Sequence, residues 1–272
     1  MMAEEFQRAY TPERKRQRRE DLLAAARGLA GEHGVREVTL TAIAAAVGLH
    51  KSAVQRYFET REALFLRLTA DGWREWVPDC LSGMAAAGSD PRAIAEVMAR
   101  TLAERPLFCD LLGQAPMNLE REVSLESVRD FKLAVLEQVE ILAAGIAGML
   151  PPLATRQGRQ VVSMVTGLAG ALWQISHPAP TVARLYAEEP GLAHATVDFE
   201  PTLRGDTEVI IEGAVRVAGD RRDTAAGSLC PVRVALPGRP VSELAAGLGL
   251  QGAQFLAKGA ERVGRIPPGL DS

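Results

Sequence analysis

Residues 38–65 read VTLTAIAAAVGLHKSAVQRYFETREALF, and this stretch decides the fold. Its spacing predicts two short helices joined by a tight glycine turn, followed at once by a third helix. Thr39 is placed to cap the first, because a threonine hydroxyl accepts from an unpaired backbone N–H at a helix start. Ile43 and Val47 are four apart and share a face. Gly48 stands where a left-handed stop is needed, a conformation glycine adopts without a Cβ clash, and Leu49 then turns inward. From His50 to Phe58 the apolar pair is Val54 and Phe58, while Lys51, Ser52, Gln55, Arg56 and Tyr57 point largely elsewhere. A short helix with two buried anchors and a hydrogen-bonding outer face suits groove reading, since base edges are read by donors and acceptors such as Arg, Lys and Gln. Thr60 caps the next helix, and Glu62 suits its positive N-terminal end. Spacing alone fits an ordinary helical hairpin with a solvated face equally well.

The segment resembles the DNA-binding domain of the TetR (tetracycline-repressor-like) family. The residues that carry the resemblance are Thr39, Ile43, Ala44, Gly48, Leu49, Lys51, Val54, Tyr57, Phe58, Thr60, Arg61, Glu62, Leu64 and Phe65, within the first quarter of the chain. Gln55 stands where the family often has Tyr, and Tyr57 replaces the commoner His. Glutamine is a good reader of adenine, so the departure at Gln55 bears on base preference.

The preceding residues agree with a DNA-binding end. Thr11-Pro12 has the form of a helix start, with proline at the first position, where its missing N–H costs nothing. Arg14, Lys15, Arg16, Arg18 and Arg19 follow, then an inner face of Leu22, Leu23, Ala26, Leu29 and Ala30, and a stop at Gly34. A basic run is usually a solvated face. Next to a groove-reading hairpin it reads better as a phosphate-contacting arm, with Arg18 and Arg19 nearest the folded part. The whole chain has net charge −3, yet residues 1–70 carry 12 Lys/Arg against 9 Asp/Glu. A basic end on an acidic body favours docking that end first on a polyanion.

Composition bounds the rest. A chain of 272 residues, 47% hydrophobic, buries one sizeable core or two modest ones. Cys80, Cys109 and Cys230 are odd in number and widely spaced, which argues against a disulfide framework or metal site and fits a reducing cytoplasm. No signal-peptide pattern opens the sequence. Residues 161–175, VVSMVTGLAGALWQI, are uncharged but shorter than the roughly 18–20 apolar residues that membrane spanning needs. They read as an interface helix in which Gly167, Gly170 and Ala171 admit a close neighbour.

Helical periodicity continues through the body. Expected helices are the connector 64–86, 90–104 (opened by Asp90-Pro91), a short apolar one at 106–115, a long one at 119–150 ended by Pro151-Pro152, the interface helix, 181–187, and 199–217. The segment RPLFCDLLGQAPMNLE, the long helix and ALWQISHP resemble one subgroup of TetR-like C-terminal domains. The resemblance implies a dimer in which helices at about 155–176 and 198–218 pack against their two-fold mates as a four-helix bundle. Dimerisation has a second rationale, because one short recognition helix reads few base pairs and two read a palindrome. From about residue 220 the sequence turns rich in glycine and proline and reads as a flexible tail. Gly247, Gly249 and Gly252 form a literal GxGxxG, but the preceding VSELAA is helix-like and no βαβ unit surrounds it. The histidines are scattered, and HExxH and GxSxG are absent. His194 and Asp198 share a helical spacing, but two ligands do not make a metal site.

The expectation is therefore an all-α protein. Residues 1–66 form a helix-turn-helix DNA-binding domain, 67–219 a helical ligand-binding and dimerisation domain, and 220–272 the tail. It is expected to be a cytoplasmic regulator and not an enzyme, homodimeric, with no cofactor or metal. Lys51, Ser52, Gln55 and Arg56 are expected at base edges or adjacent phosphates of double-stranded DNA. Thr39, Thr41, Tyr57 and Arg61 are expected to hold phosphates, joined by Arg18 and Arg19. The resemblance implies a small-molecule effector between the middle helices that repositions the reading helices. Phe108, Leu111, Phe131, Val135 and Trp173 are expected to line that site, which favours a hydrophobic ligand. The competing class is an all-α protein-interaction module or small enzyme whose hairpin is only structural. Steep salt dependence of DNA binding separates the two.

Overall fold

The structure, a computed structural model, describes residues 12–189, 191–192 and 197–224, with residues 220–224 as backbone only. By its contacts the chain separates into two units, Met1–Arg216 and Val217–Ser272. Every regular element among the described residues is helical.

Helix α1 (Pro12–His33) opens on the expected proline and buries Leu22, Leu23, Ala26 and Ala30. It stops at Gly34, whose φ of 82° lies in the left-handed region that glycine favours. A 3-10 turn (Val35–Glu37) leads into α2 (Leu40–Ala46), α3 (Lys51–Val54) and the connector α4 (Arg61–Ala87). The connector carries Pro78 in its interior, a position where proline removes one backbone hydrogen bond. The body continues with α5 (Pro91–Ala103), α6 (Pro106–Gln114), a π turn (Ala115–Leu119), α7 (Leu125–Met149), α8 (Thr155–Ser176), α9 (Pro180–Glu188) and α10 (Phe199–Thr224). Asp90 caps α5 by accepting from Ala93 N–H at 3.2 Å, with Pro91 in the first turn.

Three elements differ from their sequence-based bounds. The long helix starts at Leu125, not at 119. Pro116 has no N–H to donate, the π turn closes instead through Glu120 N–H to the Ala115 carbonyl, and Ser124 caps the new start from its hydroxyl. The recognition helix is also shorter than 50–58. Its α-helical part is Lys51–Val54, after which Arg56 N–H and Tyr57 N–H turn to the i−3 carbonyls of Ala53 and Val54. Finally, α10 runs to Thr224, so the first residues assigned to the tail are helical. The rest of the tail, with Cys230 and the glycines at 247, 249 and 252, lies outside the described residues, as do Thr11 and His194.

One apolar core joins the helix-turn-helix head to the body. Leu22, Ile43, Val54, Phe58 and Phe65 pack in the same cluster as Leu111, Leu119 and Phe131. Below it, Trp73, Trp76 and Phe108 meet with centroids 5.6–5.9 Å apart, and Trp76 Nε1 donates to Thr101 Oγ1 at 2.9 Å. The thiols of Cys80 and Cys109 are buried, and burial pushes both up to about 12. Helix α8 crosses α6 backbone to backbone. A Cβ on Gly170 would stand 2.6 Å from the Gly113 nitrogen. The small residues predicted in α8 thus divide. Gly170 serves this internal crossing, while Gly167 meets nothing and Ala171 is exposed.

Gly170→Ala should therefore cost about 1–3 kcal/mol of stability by overpacking. Gly28→Ala, on the open surface of α1 with nothing near its Cβ position, should add about 0.5–1 kcal/mol. Urea unfolding of the two variants checks both signs.

Candidate nucleic-acid interface

The reading unit is built from its anchors outward. Ile43 and Val54 are fully buried and Phe58 is 3% exposed. Thr39 accepts from Ala42 N–H at 3.1 Å and so fixes the start of α2. The turn closes through Gly48 N–H to Ala45 O at 3.1 Å and Leu49 N–H to Ala44 O at 2.8 Å. This pair of bonds is the Schellman helix stop, with Gly48 in its left-handed position at φ 67°. Leu49 packs partly against the core. His50 then caps α3, its Nδ1 lying 3.4 Å from Ser52 N and 3.0 Å from Ser52 Oγ. Thr60 caps α4 by accepting from Ala63 N–H at 3.1 Å.

With Val54 and Phe58 held inward, Lys51, Ser52, Gln55 and Arg56 lie exposed on the outside of the hairpin. Thr39 and Thr41 at the start of α2 are exposed too, and Tyr57 is half-buried against the core. The long polar side chains on α3 and its extension thus form a face of donors and acceptors on a short protruding element. Such a face can enter a major groove.

Three arginines predicted at phosphates have other employment as well. Arg18 lies 3.5 Å from Asp21 on its own helix. Arg19 stacks over the Phe58 ring at 4.7 Å, tying α1 to the recognition segment, and partial burial and then the Arg67 charge lower its pKa. Arg61 is built into the scaffold. Its Nε donates to the Val38 carbonyl, its Nη2 to the Val35 carbonyl and its Nη1 to Glu62 Oε1 at 2.9 Å. The guanidinium also lies over Phe65 at 4.7 Å. With all three nitrogens engaged, Arg61 braces the turn that precedes α2.

The residues expected around an effector fall in three places. Leu111, Phe131 and Val135 belong to the core shared by head and body. Phe108 sits in the tryptophan cluster. Trp173 is half-buried, stacked on His177 at 3.7 Å and edge-on to Phe199 at 5.2 Å.

Two acidic residues that sequence reasoning passed over join head to body. Glu59 Oε1 accepts from Ser124 N–H at 2.9 Å and from Ser127 Oγ at 2.7 Å, fastening the end of the hairpin to the start of α7. Asp110 on α6 accepts from Val35 N–H at 2.8 Å. A lone carboxylate in the apolar run PLFCDLLGQA was a visible signal for the second. Nothing local to Glu59 points to serines beyond residue 120.

This geometry defines a helix-turn-helix DNA-binding head on an all-helical body. Residues 22–68 match the family model described as bacterial regulatory proteins, tetR family, and residues 70–217 match the tetracyclin repressor-like C-terminal domain. The chain belongs to the tetR family of bacterial regulatory proteins, DNA-binding regulators of transcription. None of the curated proteins matches it. Among solved structures it is similar to the fatty acid degradation regulator FadR from Bacillus halodurans, at 15% identity and TM-score 0.43, over 72% of this chain and 94% of that one. It is also similar to Thermus thermophilus FadR, a repressor solved in complex with lauroyl-CoA, at 22% identity and TM-score 0.42, over 81% and 100%. Among the described residues no helix is long and apolar enough to cross a membrane.

The Glu59 fastening is expected to weaken in acid. The Ser127 hydroxyl, then the Ser124 backbone N–H, hold its carboxyl below the ordinary 4.5. A carboxyl depressed in the folded state stabilises above its unfolded value and loses that contribution as pH falls through the folded one. Wild type should therefore be more stable than Glu59→Gln at about pH 7, and the gap should close on acidification below the ordinary carboxylate range. Urea midpoints at the two pH values check this.

Proposed function

We propose that this regulator is a homodimeric, ligand-responsive repressor that reads a palindromic operator in the cytoplasm. The observation that carries the reading is the exposed face of Lys51, Ser52, Gln55 and Arg56 on a segment whose other side is anchored by Val54 and Phe58. Lys51, Gln55 and Arg56 supply donors and acceptors for base edges. Ser52, with its hydroxyl on His50, and Thr39, Thr41 and Tyr57 are placed around them for phosphates, and Arg18 approaches from α1. Arg19 and Arg61 act by bracing this face from behind.

A reading helix this short contacts few base pairs, so specificity calls for two copies related by symmetry. Met164, Gly167, Ala171 and Ile175 form a solvent-facing stripe on α8 at spacings of three and four. Gly205 and Val209 are exposed four residues apart on α10, where Val209 is 70% exposed. Apolar and small residues on neighbouring turns suit close packing against a two-fold mate. The effector in this reading is a small hydrophobic molecule received in the apolar body, near the elements carrying Phe108, Leu111, Phe131, Val135 and Trp173. No resident cofactor and no catalytic step are required. Effector and operator must weaken each other's binding reciprocally, because each favours a different arrangement of the two heads.

The test is fluorescence anisotropy with DNA from upstream of the protein's own gene against a scrambled duplex, at two salt concentrations. Wild type should prefer the upstream DNA and lose affinity steeply with salt. Lys51→Ala and Arg56→Ala should each weaken the specific complex by roughly tenfold or more, the scale of one good base contact, without lowering the melting temperature. Variants that bind like wild type would refute the assignment of this face.

A further inference from the structure

The 3-10 turn between α1 and α2 is gripped from two sides. Arg61 holds the carbonyls of Val35 and Val38. On the opposite side, Asp110 Oδ2 accepts from Val35 N–H at 2.8 Å, across 75 residues of sequence. Thr39, the cap of α2, follows one residue after Val38, so the position of this turn sets where the hairpin begins.

Asp110 does not end there. Its other oxygen, Oδ1, accepts from Gln174 Nε2 on α8 at 2.8 Å. Gln174 Oε1 faces Gln114 Nε2 at 3.4 Å, and Gln114 Oε1 accepts from Asn118 Nδ2 at 2.7 Å. Asp110 is 9% exposed and Gln114 is 5% exposed. Buried polar groups of this kind are costly to leave unpaired, so the chain of bonds acts as a unit. It lies at the crossing of α6 and α8, where Gly113 and Gly170 bring the two backbones together. A shift of α8 along α6 therefore moves Gln174 relative to Asp110.

We infer that Asp110 is a positioning residue for DNA reading, one carboxylate that fixes the hairpin's starting turn to helix α8. The inference rests on the regulator reading above and adds the connection between its two working surfaces. One oxygen of Asp110 faces the reading head. The other faces the helix that carries the solvent-facing stripe assigned to the dimer. The bond to Val35 N–H is lost as soon as the carboxylate turns to follow Gln174. A body that repacks around α8 thereby releases the head.

The experiment uses the full-length protein and four variants, Asp110→Ala, Asp110→Asn, Gln174→Met and the double variant Asp110→Ala with Gln174→Met. Three quantities are read for each. These are hydrogen exchange of peptides covering residues 34–40, affinity for upstream and scrambled DNA, and melting temperature. Asp110→Ala should speed exchange at Val35 at least tenfold. It should lower affinity for the upstream DNA by about tenfold and leave the scrambled duplex bound nearly as before, because non-specific binding is carried by the attraction of Lys and Arg charges to the polyanion and not by the threonines placed by the turn. A merely structural role would lower both affinities together through loss of folded protein. Asp110→Asn keeps an acceptor for Val35 and should recover specific affinity to within about threefold of wild type, with Gln174, Gln114 and the exposed Asn118 each turning its amide so that every donor still meets an acceptor. Gln174→Met should produce a partial loss, and the double variant should be no worse than Asp110→Ala alone, the signature of two residues acting through one chain. If Asp110→Ala does not fold, Gln174→Met carries the test through the ratio of the two affinities. Wild-type preference for upstream DNA that is retained in Asp110→Ala, or in Gln174→Met when Asp110→Ala does not fold, overturns the inference while leaving the regulator reading intact. A wild-type protein that binds neither duplex at low salt overturns both.

Discussion

A reading helix of four residues cannot hold its own shape. Helix nucleation is unfavourable, and isolated helices much shorter than about 12 residues are marginal in water. The recognition segment exists only because Val54 and Phe58 are driven into the core that Ile43, Leu22 and Phe65 share. The rest of the head follows from that need. The glycine stop at Gly48 aims the chain, His50 caps the short helix, and Arg19 covers the Phe58 ring from α1. Lys51, Gln55 and Arg56 are left outside because their neighbours on the helix are inside.

The same economy explains how the head is mounted. Its core is not separate from that of the body, since Leu111, Leu119 and Phe131 close the same cluster. Apolar packing is non-directional and would tolerate a range of head orientations. Hydrogen bonds are directional, and they stand at both ends of the hairpin, with Val35 N–H on Asp110 and Glu59 on Ser124 and Ser127. Between them Arg61 ties the starting turn to the connector α4. The apolar core supplies cohesion, and these polar contacts select one orientation within it.

Much of this was legible in the sequence, and the physical division is one of range. Caps at Thr39, Thr60 and Asp90, the stop at Gly48 and the inward pair Val54 and Phe58 depend on residues within four positions of one another, and they stand as expected. The family resemblance read from the hairpin agrees with the matched family models. Arg61 was less legible, because its carbonyl partners lie 23 and 26 residues away, and an exposed-looking basic residue beside a reading helix suggests a phosphate. Asp110 and Glu59 bond across 75 and up to 68 residues. The late start of α7 combined a local cause, Pro116, with the cap at Ser124 that Glu59 reinforces. Phe108, Leu111 and Phe131, expected around a ligand, are buried while Val135 and Trp173 are half-buried, and periodicity gives burial without saying which neighbours share it. Phe108 went to the tryptophans and Leu111 to the head.

The central claim is that the face of Lys51, Gln55 and Arg56 enters the major groove at two symmetry-related places. Methylation interference at guanine N7 in the upstream DNA reads this directly, because N7 lies in the major groove. The account requires two patches of interference related by a dyad and spaced by about one helical turn, or a multiple of it. A single patch without a dyad, or protein binding untouched by methylation anywhere in guanine-containing half-sites, would contradict it.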